Sequence, residues 1–551
     1  MNKPLLLSLA AATILTSSLG AQSMYERIQS MELQMKQMEN EITTLKASKA
    51  EVVEADEEET TDEPAITQQK DEDDEVDSED EEADDESQDG DDEDDEDEDD
   101  EETIEDRVND LEESVTDLNK NTNGSHLKFG IDYRFAIDNM QYKMADGTKQ
   151  GNDAFMTNRL WINMNWKATD NLSFTSQLAY NKAFGARSGT GYAPFETFDW
   201  ITNENAYDGT VRVRSAYFLY KDDNFLGDDV WTFSIGRRPS TNGHLVNLRD
   251  DDVAASPMGH TINVEFDGLS AKFGLSEATG IDGMYVKFCA GRGGTNANAK
   301  FFSVNQAGQP SISAPYSTNE DDTPDIDLGG LIFVPYNDGQ YGIATQYYYA
   351  NNLIDADVDP STYKFVGMKN VGGMHSFTAN LTMNGIGDEW SDYLDDTFFF
   401  VSGAVSVTNP KDGVVGGMLG STESQTGYSA WVGLQMPSVM TEDGRWGLEY
   451  NKGSAYWRSI TYAEDTNTGS KLAARGDAYE IYFTEPLVED ILSLQIRYTY
   501  VDYKYTGSNG FFGNTTGTPI LIDTLTTTNP QSAGNAIDIA QDLRVYLRYR
   551  Y

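Results

Sequence analysis

One stretch near the end of the chain decides the fold: AIDIAQDLRVYLRYRY, residues 536–551. From residue 542 onward, apolar or aromatic side chains alternate with mostly charged ones. The first set is Leu543, Val545, Leu547, Tyr549 and Tyr551, and the second set is Asp542, Arg544, Tyr546, Arg548 and Arg550. Because successive side chains of a β-strand point to opposite faces, this pattern predicts a strand with one apolar face and one charged face.

The same alternation recurs through residues 125–551. HLKFGIDYRF (126–135) places Leu127, Phe129, Ile131, Tyr133 and Phe135 on one face. NRLWINMNWK (158–167) does the same with Leu160, Ile162, Met164 and Trp166. A soluble sandwich would turn its polar face to water, whereas a barrel in lipid has an apolar, aromatic outside and a polar lumen. The repetition therefore predicts a transmembrane barrel.

Turn sequences divide this region into antiparallel hairpins. Turns are predicted at 169–171, 267–268, 337–339, 443–444 and 489–490. Long polar stretches lie at 185–210, 240–260, 291–327 and 505–535. Short turns on one side and long loops on the other are typical of outer-membrane barrels. We predict an all-β transmembrane antiparallel β-barrel of about 16–18 strands, with 18 favoured over 16, preceded by a short α-helical coiled-coil stalk.

The residues before 125 form a different kind of chain. Lys3, an apolar run and Leu19-Gly20-Ala21 predict a signal peptide over 1–21. Apolar residues at 3.5-residue spacing predict a periplasmic coiled coil over 22–50 and a second short coil and joint over 103–124. Residues 51–102 predict an acidic, disordered spacer. The first heptads also fit one amphipathic helix against a globular neighbour, but no such neighbour adjoins them.

Composition excludes several functions. The formal net charge is −55, and residues 51–110 alone hold 37 Asp and Glu, so nucleic-acid binding is not expected. A single cysteine, Cys289, excludes an intramolecular disulfide, and the four histidines give no pair at metal-ligand spacing, so no cofactor or metal is predicted. No Gly-x-Ser-x-Gly motif stands in a convincing context, and we predict no enzymatic activity.

Residues 125–551 resemble the general and substrate-selective porin superfamily. The resemblance rests on the strand-turn-strand around 168–171, on TFSIGRRP (232–239) followed by a long loop, and on the aromatic end of the chain. With the heptads and GLEYNKGSAYW (447–457), the chain is more narrowly similar to an uncharacterised group of porin-like outer-membrane proteins. The last strand also resembles the signal that barrel-assembly machinery recognises, carried here by Leu547, Tyr549 and Tyr551.

The resemblance implies a constriction made by the third external loop. In porins that loop folds inward, and its acids face arginines on the barrel wall. Here the loop after TFSIGRRP supplies the candidate constriction residues His244, Arg249, Asp250, Asp251 and Asp252. Wall candidates, taken from the alternation, are Arg134, Arg159, Arg212, Arg214, Arg238, Arg544 and Arg548, and Arg550 lies near a rim. The alternative is that 250–252 is simply a solvated loop.

The function expected from this pattern is an outer-membrane porin, a water-filled channel for passive diffusion of ions and small hydrophilic solutes. The alternative is a structural or adhesive envelope protein that links the outer membrane to the cell wall through the stalk. Expected partners are outer-membrane lipid, the barrel-assembly machinery and two further copies in a homotrimer. Residues 125–551 hold 50 acidic against 31 basic residues, which favours cations if the excess lies in the pore.

Overall fold

The computed structural model describes residues 127–184, 211–226, 229–238, 240–297, 303–304, 310–311, 315–317, 324–359, 361–362, 364–387, 390–461 and 464–551. The predicted signal peptide (1–21), the two coils (22–50 and 103–124) and the acidic spacer (51–102) lie outside the described residues.

Sixteen antiparallel strands close into one barrel. In chain order they are β1 Lys128–Met144, β2 Lys149–Lys167, β3 Leu172–Ala183, β4 Arg212–Phe225, β5 Asp229–Arg238, β6 Phe266–Gly274, β7 Tyr285–Gly294, β8 Ile326–Asn337, β9 Tyr341–Val358, β10 Phe365–Asn384, β11 Phe398–Pro410, β12 Thr426–Pro437, β13 Arg445–Gly453, β14 Gly476–Val488, β15 Leu492–Tyr503 and β16 Ile537–Arg550. The count lies within the predicted range, but the preference for 18 is wrong. β2 and β10 run to 19 and 20 residues, so the chain is used up by fewer and longer strands than an even division assumes.

The stretch that decides the fold closes the barrel. β16 pairs with β15 on one side and with β1 on the other, where Tyr549 lies opposite Tyr133. The backbone N–H of Tyr551 donates to the carbonyl of Ile131 at 2.8 Å. Closure leaves the sheet without an edge, so every strand of the barrel has two hydrogen-bonded neighbours.

The alternation divides the strands as predicted into an apolar outside and a polar inside. On β16, Leu543, Val545, Leu547 and Tyr549 are 38–46% exposed, whereas Arg544 and Arg548 are almost completely buried. The outward set continues around the barrel with Phe129, Ile131, Tyr133, Trp166, Phe174, Phe218, Ile235, Leu269, Phe288, Tyr347, Phe377, Val401 and Leu448. This band matches lipid tails, and the closed barrel it surrounds is the architecture of porin-type outer-membrane barrels.

The connections are short at one rim and long at the other. The rim that holds the two ends of the barrel carries the connections 168–171, 226–228, 275–284, 338–340, 385–397, 438–444 and 489–491. The opposite rim, called here the long rim, carries 145–148, 184–211, 239–265, 295–325, 359–364, 411–425, 454–475 and 504–536. Four connections of the long rim have buried segments among the described residues. They are 239–265, called loop A, 454–475, called loop B, 504–536, called loop C, and 411–425, where Gly417 to Leu419 are buried. Among the described residues, no helix is long and apolar enough to cross a membrane.

The hairpin predicted around Asp267-Gly268 is wrong. These two residues lie inside β6, which runs without a turn from Phe266 to Gly274. Gly268 is required by close packing rather than by a turn, because a Cβ there would lie 2.1 Å from the carbonyl oxygen of Ala290 on β7. The other predicted turns, at 169–171, 337–339, 443–444 and 489–490, all lie at connections between paired strands, and only Asn337 still belongs to a strand, as the last residue of β8.

Candidate functional site

Loop A crosses the lumen and reaches the far wall. Arg249, at its tip, donates to Glu480 of β14 at 3.1 Å. Beside it, the hydroxyl of Tyr546 on β16 donates to Asp250 at 2.8 Å, and Gln495 of β15 donates to the carbonyl of Arg249 at 2.8 Å. Arg249 and Asp250 are both buried, so the tip of the loop is fixed against β14–β16.

The next two acids of loop A lie near the closing seam of the barrel. Asp252 accepts from Arg548 at 2.8 Å and from Arg550 at 3.2 Å. Asp251 is exposed, and its backbone carbonyl accepts from Arg550 at 3.0 Å. Four of the five candidate constriction residues, Arg249 to Asp252, therefore lie together against the wall formed by β14–β16, as an inward-folded loop requires.

The returning limb of loop A packs against β9–β12. The ring of His260 lies between two hydroxyls, Ser402 at 2.8 Å and Ser429 at 2.9 Å. Thr261 shares a hydrogen bond with Thr378 of β10 at 2.8 Å. Burial lowers the pKa of His260 to about 3, so the ring is neutral in the folded protein. This histidine was not singled out from the sequence, since nothing near it has metal-ligand or catalytic spacing.

Loop B also fills the lumen, and it is joined to loop A. Ile460 and Thr461 of loop B pair in parallel with Ile262 and Asn263 of loop A. Most described residues of loop B are buried, including Leu472, Ala473, Ala474 and Arg475 at 0% exposure. The two loops thus form one body inside the barrel.

Asp465 of loop B is the main partner of the wall arginines. Arg134 of β1 forms a two-pronged ion pair with it, and Arg544 of β16 lies 3.3 Å from one of its oxygens. Burial alone would raise the pKa of Asp465, but Arg134 and Arg544 hold that pKa well below its usual range. Arg544 also bonds Asp138 at 2.5 Å, and Arg548 pairs with Asp132.

Five of the seven predicted wall arginines face inward and are buried: Arg134, Arg159, Arg214, Arg544 and Arg548. Inward placement follows from energetics, because an arginine at the lipid midplane costs about 2–4 kcal/mol. Arg159 and Arg214 both lie over the ring of Trp161, at 3.5 and 4.2 Å. These arginines do not line open water. Their acidic partners, several of them on loops A and B, occupy the space in front of them.

The remaining two wall candidates lie elsewhere. Arg212 is exposed at the start of β4, near the long rim. Arg238, at the end of β5, donates to the hydroxyls of Ser234 and Ser270 and lies 5.3 Å from the ring centre of Tyr217. Neither belongs to the ionic network around Asp465, because β4 and β5 form the other side of the barrel.

His244 lies apart from the other constriction candidates. It belongs to a short strand, Gly243–His244, that pairs in parallel with Ala255–Met258 inside loop A. It lines a cavity of about 200 Å³ together with Ser256, Tyr285, Asn380 and Thr382. Burial lowers the pKa of His244 to about 4, so the cavity is not made positive by this ring at neutral pH.

Near the rim with the short connections, one side of the lumen is open to solvent among the described residues. Asn165 of β2 and Lys221 of β4 face inward and are exposed, and Lys272 of β6 and Lys287 of β7 are only half-buried. On the opposite side, Glu480, Arg497 and Arg544 are 1–3% exposed. We call the inward face of β2–β7, at the end of these strands that lies near the rim with the short connections, the open wall.

Sequence reasoning missed the acids that pair with the wall arginines or with residues of the two loops: Asp132, Asp138, Glu449, Asp465 and Glu480. For the strand residues a signal existed, because each lies at an inward position of an alternating strand. Asp465 and Lys471 of loop B carried no such signal. Within the described part of the chain, no group of three or more His, Cys, Asp or Glu could hold a metal ion.

A comparison with protein families matches residues 149–551 to the family described as "Protein of unknown function (DUF3373)". The chain belongs to this family. The match covers β2–β16 and loops A, B and C. No curated protein matches the chain.

Solved structures with some likeness are outer-membrane barrels. The trimer form of OmpT from Vibrio cholerae is 13% identical, with 78% of this chain and 99% of that chain covered and a TM-score of 0.40. OmpF of Salmonella typhi, in complex with daunomycin, is 11% identical, with 78% and 98% covered and a TM-score of 0.40. The anion-selective porin of Comamonas acidovorans is 11% identical, with 78% and 100% covered and a TM-score of 0.41. The barrel assignment of the present chain rests on its own strand pairing.

Proposed function

We propose that this member of the DUF3373 family is a narrow outer-membrane channel for passive diffusion of ions and small hydrophilic solutes. A 16-stranded barrel encloses more space than its own inward side chains fill, so a passage remains unless loops close it. Loops A and B close the side along β9–β16 and leave the open wall facing solvent. The single observation that carries the proposal is that the tip of loop A is fixed to the far wall by Arg249 and Glu480, while Lys221 of the open wall stays exposed.

The constriction of this channel lies between loop A and the open wall. Asp251 and Val253 of loop A are exposed, and Val253 is 95% exposed. Lys221 is exposed on the open wall. A passage bounded by an acidic loop on one side and by basic wall residues on the other orients dipolar solutes. In this arrangement the candidate arginines stabilise the loops, and other residues contact the solute.

The setting proposed for the channel is the outer membrane. The outward band of Phe, Leu, Ile, Val, Trp and Tyr contacts lipid, and the barrel-assembly machinery inserts the chain through Leu547, Tyr549 and Tyr551 of its last strand. We place the long rim outside the cell and the short connections in the periplasm, together with the stalk predicted over 22–124. A homotrimer is the proposed assembly, and crosslinking with and without residues 22–50 tests whether the first coil sets it.

The proposal is tested by purifying the full chain and inserting it into planar lipid bilayers. We expect stepwise ion currents, and vesicle-swelling assays should show uptake of small solutes with a sharp fall as solute size increases. Folded barrels that insert, as judged by protease protection, but pass no current would contradict the proposal.

A second candidate function is an anchor that connects the outer membrane to the cell wall through the stalk. The observation that favours it is the dense filling of the lumen along β9–β16, where buried loop residues take up the space that a wide pore would need. Deleting residues 22–124 separates the two functions. Detachment of the outer membrane with unchanged solute uptake supports the anchor, whereas unchanged envelope attachment supports the channel alone.

A further inference from the structure

The open wall carries a row of basic residues at one level of the barrel. Lys272 of β6 and Lys287 of β7 lie directly opposite each other in the strand register. Thr232 of β5 is opposite Lys272 on its other side, and Lys221 of β4 is opposite Thr232. Three lysines therefore face the lumen within one row that crosses four neighbouring strands. We call Lys221, Lys272 and Lys287 the basic row.

Neighbouring like charges are unfavourable in a sheet, so this row needs an explanation. Residues directly opposite on one face have Cβ atoms about 4.5–5.5 Å apart, and two lysines there repel each other. The ammonium of Lys287 donates to the hydroxyl of Ser256 at 3.0 Å, and that of Lys272 lies 4.0 Å from the ring centre of Tyr285. Neither contact neutralises a charge.

The row has no carboxylate partner within the described ranges. No ion pair joins Lys221, Lys272 or Lys287 to an Asp or Glu there, whereas Lys471 on the other side of the lumen pairs with both Glu449 and Glu480. Nearer the long rim on the same wall, Arg238 donates to two serine hydroxyls and bonds no carboxylate among the described residues. The ion-paired acids named above thus lie on the other side of the lumen, and the three lysines of the row face the lumen without a carboxylate partner among the described residues.

The space next to the row is suited to a small polar solute. The cavity of about 200 Å³ that His244 lines also contains Ser256, which contacts Lys287, and Tyr285, which contacts Lys272. Asn337, Asn380 and Thr382 add hydrogen-bonding groups without charge. Ser256 and Tyr285 thus connect the cavity to Lys287 and Lys272, which do not line it themselves. Neutral hydrogen-bonding groups beside two lysines hold a hydrated anion without trapping it.

We infer that the open wall is an anion pathway, in which small anions pass along Lys221, Lys272 and Lys287. The inference rests on the proposed channel function and names the class of solute that the channel prefers. It also reverses the cation preference expected from the acidic excess of residues 125–551, because buried acids of the lumen such as Asp465 and Glu480 are paired with buried arginines and lysines.

The test is the reversal potential of the full chain in a tenfold KCl gradient across a planar bilayer. For the wild type, the reversal potential should lie toward the equilibrium potential of chloride, with chloride several-fold more permeant than potassium. A Lys272→Gln/Lys287→Gln variant should shift the reversal potential toward the cation side. The matched control is Lys143→Gln/Lys452→Gln, which removes the same charge from exposed lysines on the outer face near the long rim and should leave the potential unchanged. A cation-selective wild type, or equal shifts in both double variants, would overturn the inference.

Cys289 gives a second measurement that does not need a current. It faces the lumen on β7, two residues from Lys287 and opposite Ser270, and it is the only cysteine of the chain. A negatively charged methanethiosulfonate reagent should modify it at least about tenfold faster than a positively charged one, and Lys272→Gln/Lys287→Gln should remove the difference. Equal rates, a faster cationic reagent or no reaction with either would contradict the anion pathway. Absence of current with the predicted labelling preference would contradict the channel function alone.

Discussion

Arg249 of loop A and Glu480 of β14 form a buried ion pair at 3.1 Å, although 231 positions separate them in the chain. Glu480 also accepts from Lys471 of loop B at 2.5 Å and from Thr499 of β15 at 2.8 Å. One carboxylate on the barrel wall therefore holds both loops. Since the partners come from three separate parts of the chain, the filling of the lumen depends on a small number of such points.

Removing the charge of Glu480 should destabilise the protein strongly. Glu480→Gln leaves the buried Arg249 and Lys471 without their shared carboxylate, and breaking a buried ion pair in this way costs about 3–5 kcal/mol. We expect a lower midpoint of urea unfolding in detergent micelles and noisier single-channel currents, because the tip of loop A is released.

The control for this variant is Glu489→Gln, which removes the same charge from an exposed turn between β14 and β15. It should change the free energy of unfolding by less than about 0.5 kcal/mol. If the two variants unfold at the same urea concentration, the ion pair does not fix loop A.

Acid should weaken the fold through His260. Its pKa is about 3 in the folded protein, below the ordinary value of about 6.5, because the ring is buried. Below pH 6.5 the unfolded chain therefore takes up a proton that the folded chain does not. The stability present above pH 6.5 is lost as the pH falls toward the pKa of His260 in the folded protein. The slope from this residue is about 1.4 kcal/mol per pH unit.

Urea unfolding of His260→Gln at pH 8, 6, 5 and 4 checks this expectation. The variant should be less stable than the wild type at pH 8, since the ring packs edge-on against Trp431 and Trp457. The difference in free energy of unfolding between the wild type and the variant should become smaller as the pH falls. Ser429→Ala removes one hydrogen bond of the ring but keeps the titrating group, so it should retain the wild-type slope. A gap between His260→Gln and the wild type that stays constant with pH would be the contrary result.

Gly268 should tolerate no side chain. A Cβ there would lie 2.1 Å from the backbone oxygen of Ala290, so Gly268→Ala forces β6 and β7 apart and should cost about 1–3 kcal/mol. Gly329→Ala on the neighbouring β8 is the control, because nothing lies within 4 Å of the Cβ it adds. The stability of both variants is measured by urea unfolding and by the temperature at which the folded band is lost on gels. Equal behaviour of the two variants would show that the close contact is relieved at little cost.

Much of the fold follows from the sequence because a strand in lipid has a strict two-residue period. The alternation at Leu543 to Tyr551 correctly gives the outward and inward faces of β16, and the same holds for β1 and β2. Inward arginines were predictable for the same reason. The position of loop A followed from the long polar stretch after TFSIGRRP and from the porin resemblance, and residues 249–252 do lie in the lumen.

The parts that sequence did not predict depend on contacts between distant segments. Asp267-Gly268 has the composition of a turn, but β5 and β7 pair with both sides of this segment and keep it extended. Loop B looks like a polar surface loop apart from Trp457 and Leu472 to Ala474, which are completely buried. Its inward position depends on the ion pairs that Asp465 and Lys471 form with residues of β1, β13, β14 and β16. No local sequence pattern predicts ion pairs between such distant segments.

The most direct test of the proposed channel is the single-channel conductance of a variant in which loop B, residues 454–475, is replaced by an Asn-Gly turn. Lys452 of β13 and Asp477 of β14 are paired, so a two-residue turn can join the strands without changing the barrel. The arginines and acids that loop B covers would then face water in a wider lumen. We predict small discrete current steps for the full chain and steps several-fold larger for the variant. Steps of equal size in the two proteins would contradict the claim that the inward loops set the bore of the channel.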